Sequence, residues 1–364
     1  MAICARESMR VFVAGASGAI GKRLVPQLVD RGHDVVGTFK SPSNIEKVRA
    51  MGAEPVVLDL LNAEAVRKAV LDTKPDAIIH EATALGSGVD FKHMDRSFAD
   101  TNRLRTKGTD ALLDAARDAG VRRFVAQSFA SYRYARVGSW VKTEDDPLDP
   151  NPPEAMKEIY SAMDYLDQAV TRAGGVALRY GGFYGDPGNS AERAGMLEPV
   201  IKRMFPIVGN GGGYASFIHL EDAAAATVLA LEHNARGTYN IVDDEPAPVR
   251  EWLPYLANVL GAKPPRHFPA WMARLVAGEL AVMMGTELRG ASNAKAKREL
   301  GWTLRYPSWR KGFVAAYSRL RYRHSSVLLR VGPRSLLRRH RPSYFRELSR
   351  NSQKQAALAR QSAF

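Results

Sequence analysis

The residues with the clearest chemical use come early in the chain. Val11-Phe12-Val13-Ala14 is followed by Gly15, Gly18 and Gly21, with Ser17, Ala19 and Ile20 between them, and then by an amphipathic stretch. An apolar strand, a G-x-x-G-x-x-G turn and a helix start make a cradle for a pyrophosphate. Gly15 permits the tight turn, Gly18 lets the backbone approach the anion, and Gly21 lets the helix lie close to the sheet. The helix start adds unpaired N–H groups and the positive end of a dipole.

Coenzyme choice turns on the next strand. An NAD site places Asp or Glu there, for the ribose hydroxyls. This chain has Thr38-Phe39-Lys40-Ser41-Pro42-Ser43 instead, with no acid. Lys40 and the serines suit a 2′-phosphate, which favours NADP, with NAD as the other candidate. Asp59, followed by Leu60, either bonds the adenine amino group or caps the helix that starts near Asn62. His80-Glu81-Ala82-Thr83-Ala84 ends the fourth apolar run, and its small residues, Ala82 foremost, let a coenzyme cross the sheet edge.

The elements that must position these groups alternate. Strands are expected at Val11–Ala14, Asp34–Phe39, Pro55–Leu58, Ala77–His80, Phe124–Gln127 and Val176–Arg179. They are short and almost continuously apolar, as strands buried on both faces are. Helical spacing fills the gaps at Lys22–Arg31, Asn44–Met51, Ala63–Asp72, Thr101–Ala119 and Glu154–Ala173. This alternation predicts an α/β fold, a Rossmann-type doubly wound parallel sheet. The expected layout is a dinucleotide-binding domain over 9–180, a smaller, partly interleaved substrate lobe over 181–315, and a basic tail over 319–364. In the lobe, Ala215–Leu220 and Tyr239–Val242 read as strands, and Pro248–Leu260 and Ala291–Leu300 as helices.

Composition removes several classes. The chain has 364 residues, 45% hydrophobic and 25% charged, as soluble globular proteins do. A single cysteine, Cys4, excludes an internal disulfide framework and a cysteine-held metal. The net charge of +14 is concentrated at the end. From Lys311 onward there are thirteen Lys and Arg against the single Glu347, whereas the first 310 residues carry 39 bases and 37 acids. Nucleic acid is therefore not an expected partner of the body, and a small-molecule substrate is. A contact between the tail and nucleic acid or anionic lipid is the minor reading. The most apolar stretch, Trp271–Gly285, is broken by Arg274 and Glu279, so no transmembrane segment is expected. No long apolar leader stands at the start, and a cytoplasmic location is the expectation.

Several segments together resemble the short-chain dehydrogenase/reductase superfamily, in its extended or atypical branch, the NAD-dependent epimerase/dehydratase family. They are Gly15–Gly21, Asp59-Leu60, Thr101-Asn102 with Gly108–Leu113, Leu178–Gly185, Ser216–Asp222, Tyr239–Val242, and Ala291–Lys295 with Leu300-Gly301-Trp302. The likeness covers about residues 10 to 315. It implies hydride transfer with a nicotinamide coenzyme. A serine or threonine assists a tyrosine acid/base, whose pKa is lowered by a lysine four residues later. It also implies a homodimer paired through helices such as Thr101–Ala119 and Glu154–Ala173.

The chain departs from the pattern where the chemistry sits. Tyr160 fills the tyrosine position, but Asp164 stands where lysine belongs, and Lys157 lies one turn before Tyr160. Ser128 or Ser131 fills the serine position, and Tyr132 with Arg136 offers another tyrosine–cation pair. Tyr160 with Ser128 is the expected catalytic pair. The resulting reading is an NAD(P)-dependent oxidoreductase, epimerase or dehydratase acting on a small carbonyl or alcohol, nucleotide sugars included. The alternative is a coenzyme-binding sensor that has lost catalysis.

Overall fold

The computed structural model of the protein describes residues 7–86 and 93–328. Strands β1 (Arg10–Ala14), β2 (Asp34–Phe39), β3 (Glu54–Val57), β4 (Ala77–His80), β5 (Arg123–Phe129), β6 (Val176–Tyr180) and β7 (Gly237–Ile241) form one sheet. Its order is β7-β6-β5-β4-β1-β2-β3, and every pairing is parallel. The chain winds outward through β2 and β3, then returns to the other side of β1. The order therefore reverses between β1 and β4, where Ala14 faces His80.

Alternation along β1 shows why these strands read as solid apolar runs. Val11 and Val13 point to one face, against Leu24 and Leu28 of helix α1 (Gly21–Asp30). Phe12 and Ala14 point to the other, toward Val66, Leu112 and Leu166. All four are fully buried. Helix α2 (Ile45–Ala50) joins α1's face through Val48. The opposite face carries α3 (Ala63–Thr73), the rod α4 (Met94–Arg103) with α5 (Thr109–Asp118), and α6 (Lys157–Arg172). Helix α7 (Leu220–Glu232) lies beside α1, and its run of small alanines permits that close approach.

Differences from the sequence expectation are local and have physical causes. The helix expected from Thr101 begins at Met94 and carries a π turn, Leu104–Gly108, before α5. The strand expected over Ala215–Leu220 is split. Tyr214–Ala215 pairs with Ala247–Pro248, and Phe217–His219 pairs with Gly182–Tyr184. Ser216 sits at the break, and its hydroxyl accepts from the Ala291 amide at 2.8 Å. The strand expected at Tyr239 is β7 of the main sheet, so the chain beyond residue 181 returns to the first core.

The apolar stretch near Trp271 is helix Ala270–Thr286, bent where Gly278 takes φ 77°. Its second half buries Val282 and Met283, whereas Leu275 and Val276 are each 78% exposed. Among the described residues, no helix is long and apolar enough to cross a membrane. The last helix, Trp309–Leu328, runs past the expected start of the basic tail at 319. Trp309, Phe313 and Tyr317 recur every four residues and are fully buried. A Cβ on Gly312 would lie 1.9 Å from the Tyr184 hydroxyl, so only glycine fits there. Residues 329–364 lie outside the described residues.

Candidate active site

The glycine loop closes over the point where the strand order reverses. Gly15 has φ +93°, and a Cβ on it would stand 2.8 Å from the Ala82 backbone, so glycine is required twice over. The Gly15 and Ala16 amides donate to Thr38 O at 3.1 and 3.0 Å, which ties the loop to β2. The Gly18 amide folds back onto Gly15 O at 2.9 Å. The amides of Ser17, Ala19 and Ile20 have no partner among the described residues. A Cβ on Gly21 would meet Ala16 O at 2.4 Å, so α1 begins tight against the loop. Bare amides above a close backbone crossing fit a pyrophosphate.

The residues expected at the ribose end come from β2 and the loops beside it. Lys40 Nζ lies 2.9 Å from Asp59 Oδ2. The Lys40 hydrogen bond, with a second from the Leu61 amide, holds the Asp59 carboxyl below the usual carboxylate range. The two residues read from the sequence as separate contacts are thus one exposed pair. Asp59 does not cap α3; Asn62 does, accepting from the Ala65 amide at 3.1 Å. Ser41 and Ser43 share a hydrogen bond of 2.8 Å. Asn44, not foreseen, donates to Ser17 Oγ at 3.4 Å. Leu60 is buried and faces Gly108 at the start of α5.

Beneath the crossing point lie two buried polar networks. On the α7 side, Tyr180 donates to Glu81 Oε1 at 2.9 Å and shares a hydrogen bond with Thr227. With its amide nitrogen turned inward, Gln127 donates to Glu81 Oε2 at 3.0 Å. Burial pushes Glu81 up to about 8, so it is largely protonated at neutral pH. His80 is driven the other way, down to about 4, by burial. Its Nε2 lies 3.3 Å from Leu104 O.

On the α6 side, Arg133 is 1% exposed. It donates to Asp167 at 2.8 Å, to Ser128 Oγ at 3.0 Å, and to Asp164. Arg179 donates to the same Asp167 oxygen at 2.8 Å. Ser128 therefore lies inside this ion cluster and is itself 1% exposed. Asp164, in the lysine position, is engaged by an arginine from the loop after β5.

Tyr160 lies in an apolar cluster instead. Met94, Phe98, Phe129, Tyr132, Met156 and Met163 pack around it. Its hydroxyl has no partner, and burial followed by the nearby Asp149 charge pushes its pKa well above the ordinary tyrosine value. The cation sought nearby is occupied. Arg136 is paired with Asp149 at 3.0 Å and Glu287 at 2.9 Å. Lys157 is paired with Glu154 at 2.6 Å. Tyr132 takes φ 70°, and burial raises its hydroxyl to about 12. Ser131 is half-buried in the same loop. Among the described residues, no cluster of His, Cys, Asp and Glu is arranged to hold a metal.

A sheet that reverses between β1 and β4, with an amide cradle at the reversal, defines the dinucleotide-binding class of α/β proteins. Residues 11–242 match the NAD dependent epimerase/dehydratase family, and the chain belongs to that family. Among curated relatives it is 41% identical over 308 residues to a 3-diazoavenalumate denitrifying reductase of a Streptomyces species, covering 84% of this chain and 99% of that one. It is 28% identical over 320 residues to a UDP-glucose 4-epimerase of Corynebacterium glutamicum, covering 81% and 91%. Among solved structures, the UDP-glucose 4-epimerase of Thermotoga maritima with UDP-glucose superposes with a TM-score of 0.66 at 21% identity, covering 87% of this chain and all of the other. The Thermus thermophilus UDP-glucose 4-epimerase complexed with NAD gives 0.65 at 24% identity, covering 86% and 99%.

Proposed function

We propose that this protein is an NADP-dependent reductase whose acceptor is an aromatic diazo compound. The pyrophosphate rests on the Ser17, Ala19 and Ile20 amides. The 2′-phosphate is met by Lys40, Ser41 and Ser43. Ala82 lets the coenzyme pass from the β1 side of the sheet to the β4 side. When bound, the coenzyme supplies a hydride.

The observation that carries this reading is the occupied lysine position. Asp164 is neutralised by Arg133, and Tyr160 sits among methionines and aromatics with its proton held tightly. A carbonyl acceptor needs a proton for the alkoxide it becomes, and a tyrosine acid needs a cation beside it to supply one near neutrality. An aryl diazonium carbon needs none. A hydride delivered there would form the C–H bond with its own electron pair while the C–N bond broke and its pair left with dinitrogen. The residues around Tyr160 then have three duties: to seat a flat ring, exclude water, and hold the ring carbon toward the coenzyme. The name of the 41% identical relative supports an acceptor of this kind. The apolar residues of that cluster offer a sugar few hydrogen-bonding partners. Pairing of two copies through α5 and α6 belongs to the same reading. Tyr165 is 39% exposed there and donates to Asp110 at 2.7 Å across the two helices.

The test mixes purified protein with NADPH and, separately, an aryl diazonium carboxylate, UDP-glucose, and simple ketones. Protein-dependent loss of absorbance at the coenzyme's reduced band, with dinitrogen release, is expected for the diazo compound alone. Epimerisation of UDP-glucose without it would overturn the proposal. Tight coenzyme binding with no turnover on any acceptor would favour a sensor.

A further inference from the structure

Arg105 is a buried guanidinium held by no hydrogen bond among the described residues. It sits in the π turn between α4 and α5 and is 5% exposed. Its Nη1 is buried without a partner, and no hydrogen bond or ion pair joins its guanidinium to any described residue. A buried guanidinium without an acceptor is strongly unfavourable, and such groups in native proteins point to a missing partner. Burial, with the charge of Arg133 nearby, lowers Arg105 to about 10, which leaves it cationic at neutral pH.

Asp167 attracts Arg105 through space but does not hydrogen-bond it. Asp164 is taken by Arg133, and one oxygen of Asp167 is shared by Arg133 and Arg179. The other Asp167 oxygen is buried without a partner, and no hydrogen bond joins it to Arg105. His80, the other titratable group facing Arg105, is neutral at working pH.

The position of Arg105 indicates what arrives. The carbonyl of the preceding residue, Leu104, lies 3.3 Å from His80 Nε2, at the end of β4. Met94, Phe98, Thr101 and Arg105 recur at helical spacing, so they form one stripe of the rod. The first two belong to the Tyr160 cluster, and Thr101 Oγ1 accepts from the Ala84 amide just past the crossing point. In a doubly wound sheet the glycine loop holds the pyrophosphate over β1, and the adenine half lies toward β2 and β3. The other half then lies over β4 and β5, the side on which Arg105 stands.

We propose that Arg105 donates to the ribose oxygens of the coenzyme's nicotinamide half, so that the rod α4–α5 provides the cation that Asp164 denies to α6. This rests on the dinucleotide reading of the glycine loop. Arg105 is then a coenzyme-binding residue, hydrogen-bonded only in the loaded protein.

The experiment titrates the wild type, Arg105→Gln and Arg105→Lys with two ligands. NADPH carries both halves of the coenzyme; 2′,5′-ADP carries the adenine half and its 2′-phosphate alone. NADH and ADP serve as the pair if the protein takes NAD. Arg105→Gln is expected to weaken NADPH by about 10- to 100-fold, the range for loss of a charge-assisted hydrogen bond, and to leave 2′,5′-ADP within about twofold. Arg105→Lys, which keeps the charge, should recover part of the NADPH loss and also serves if the glutamine variant fails to fold. Equal weakening of both ligands would mean a structural role and would overturn the proposal. Unchanged NADPH affinity would overturn it too, including the case where only the acceptor's KM rises. Failure of the wild type to bind either ligand would refute the glycine-loop reading, and this proposal with it.

Discussion

Lys40→Ala tests the proposed coenzyme-selecting contact. In the free protein Lys40 pairs with Asp59 at 2.9 Å, with the two side chains 76% and 41% exposed. An exposed pair of this kind contributes about 0.2–1 kcal/mol. A charge-assisted bond to a 2′-phosphate contributes about 1.5–3 kcal/mol. Exchanging one for the other leaves about 1–2 kcal/mol, a preference for NADPH over NADH of about 5- to 30-fold. The alanine variant should lose that preference. Its NADH affinity should stay nearly constant, because NADH has no group for Lys40 to meet. Removing the lysine also leaves the Asp59 carboxylate unopposed beside the phosphate, which adds to the NADPH loss. The assay is fluorescence titration with both coenzymes at low and high salt, and the wild-type preference should shrink as salt screens the exposed charges. An unchanged NADPH-to-NADH affinity ratio in the variant would refute the assignment of Lys40.

Other outcomes follow from the same geometry. Gly15→Ala forces a side chain at φ +93° into the Ala82 backbone; it should destabilise the fold by at least about 1–2 kcal/mol and abolish coenzyme binding, read by urea unfolding and titration. Arg133→Met leaves Asp167 buried with Arg179 alone and should cost about 3–5 kcal/mol in unfolding free energy, and a loss below about 1 kcal/mol would show that the cluster is not holding α6 to β5. Glu81 titrates near 8 in the folded protein against an ordinary value of 4.5, so the folded state binds the extra proton and loses stability as pH rises between those values. Glu81→Gln should flatten that slope in urea midpoints measured from pH 5 to 8, and an unaltered slope would place the titration elsewhere. His219 is lowered to about 4 by burial, with Arg23 and Arg305 adding to the shift, so it stays neutral when folded. It contributes stability above pH 6.5 that is lost as pH falls toward 4, and His219→Gln should remove that part of the acid sensitivity.

Much of the coenzyme side was legible from residue order alone. Val11–Ala14 announces a strand buried on both faces, and the glycines that follow have a spacing that one turn geometry demands. Gly15 and Gly21 leave no room for a side chain, and that constraint is written into the sequence as the absence of one. The surroundings of Tyr160 and Asp164 were not legible, because their partners come from distant segments. Arg133 lies on the loop after β5, and nothing in the spacing Tyr160-x-x-x-Asp164 announces that an arginine 31 residues earlier will claim the aspartate. Ser128 and Phe129 are adjacent, yet the strand's alternation sends the serine into the ion cluster and the phenylalanine to the apolar cluster of Tyr160. The pairing of Lys40 with Asp59 needed β2 and β3 to lie side by side. Arg105 carried one faint signal, a charged residue on the otherwise uncharged stripe after Met94, Phe98 and Thr101.

The seating of the last helix governs how the C-terminal arginines can be studied. Phe313 and Tyr317 complete an aromatic wall with Trp309, Tyr184 and Phe217, and the Tyr317 hydroxyl bonds Glu192. A chain shortened at Gly312 would strip two rings from that wall and mimic a defect of the tail by unseating the lobe. Deletions meant to isolate the arginine-rich extension should therefore begin beyond Tyr322, where the compact unit ends, so that a change in adhesion to polyanions is read against an undamaged body.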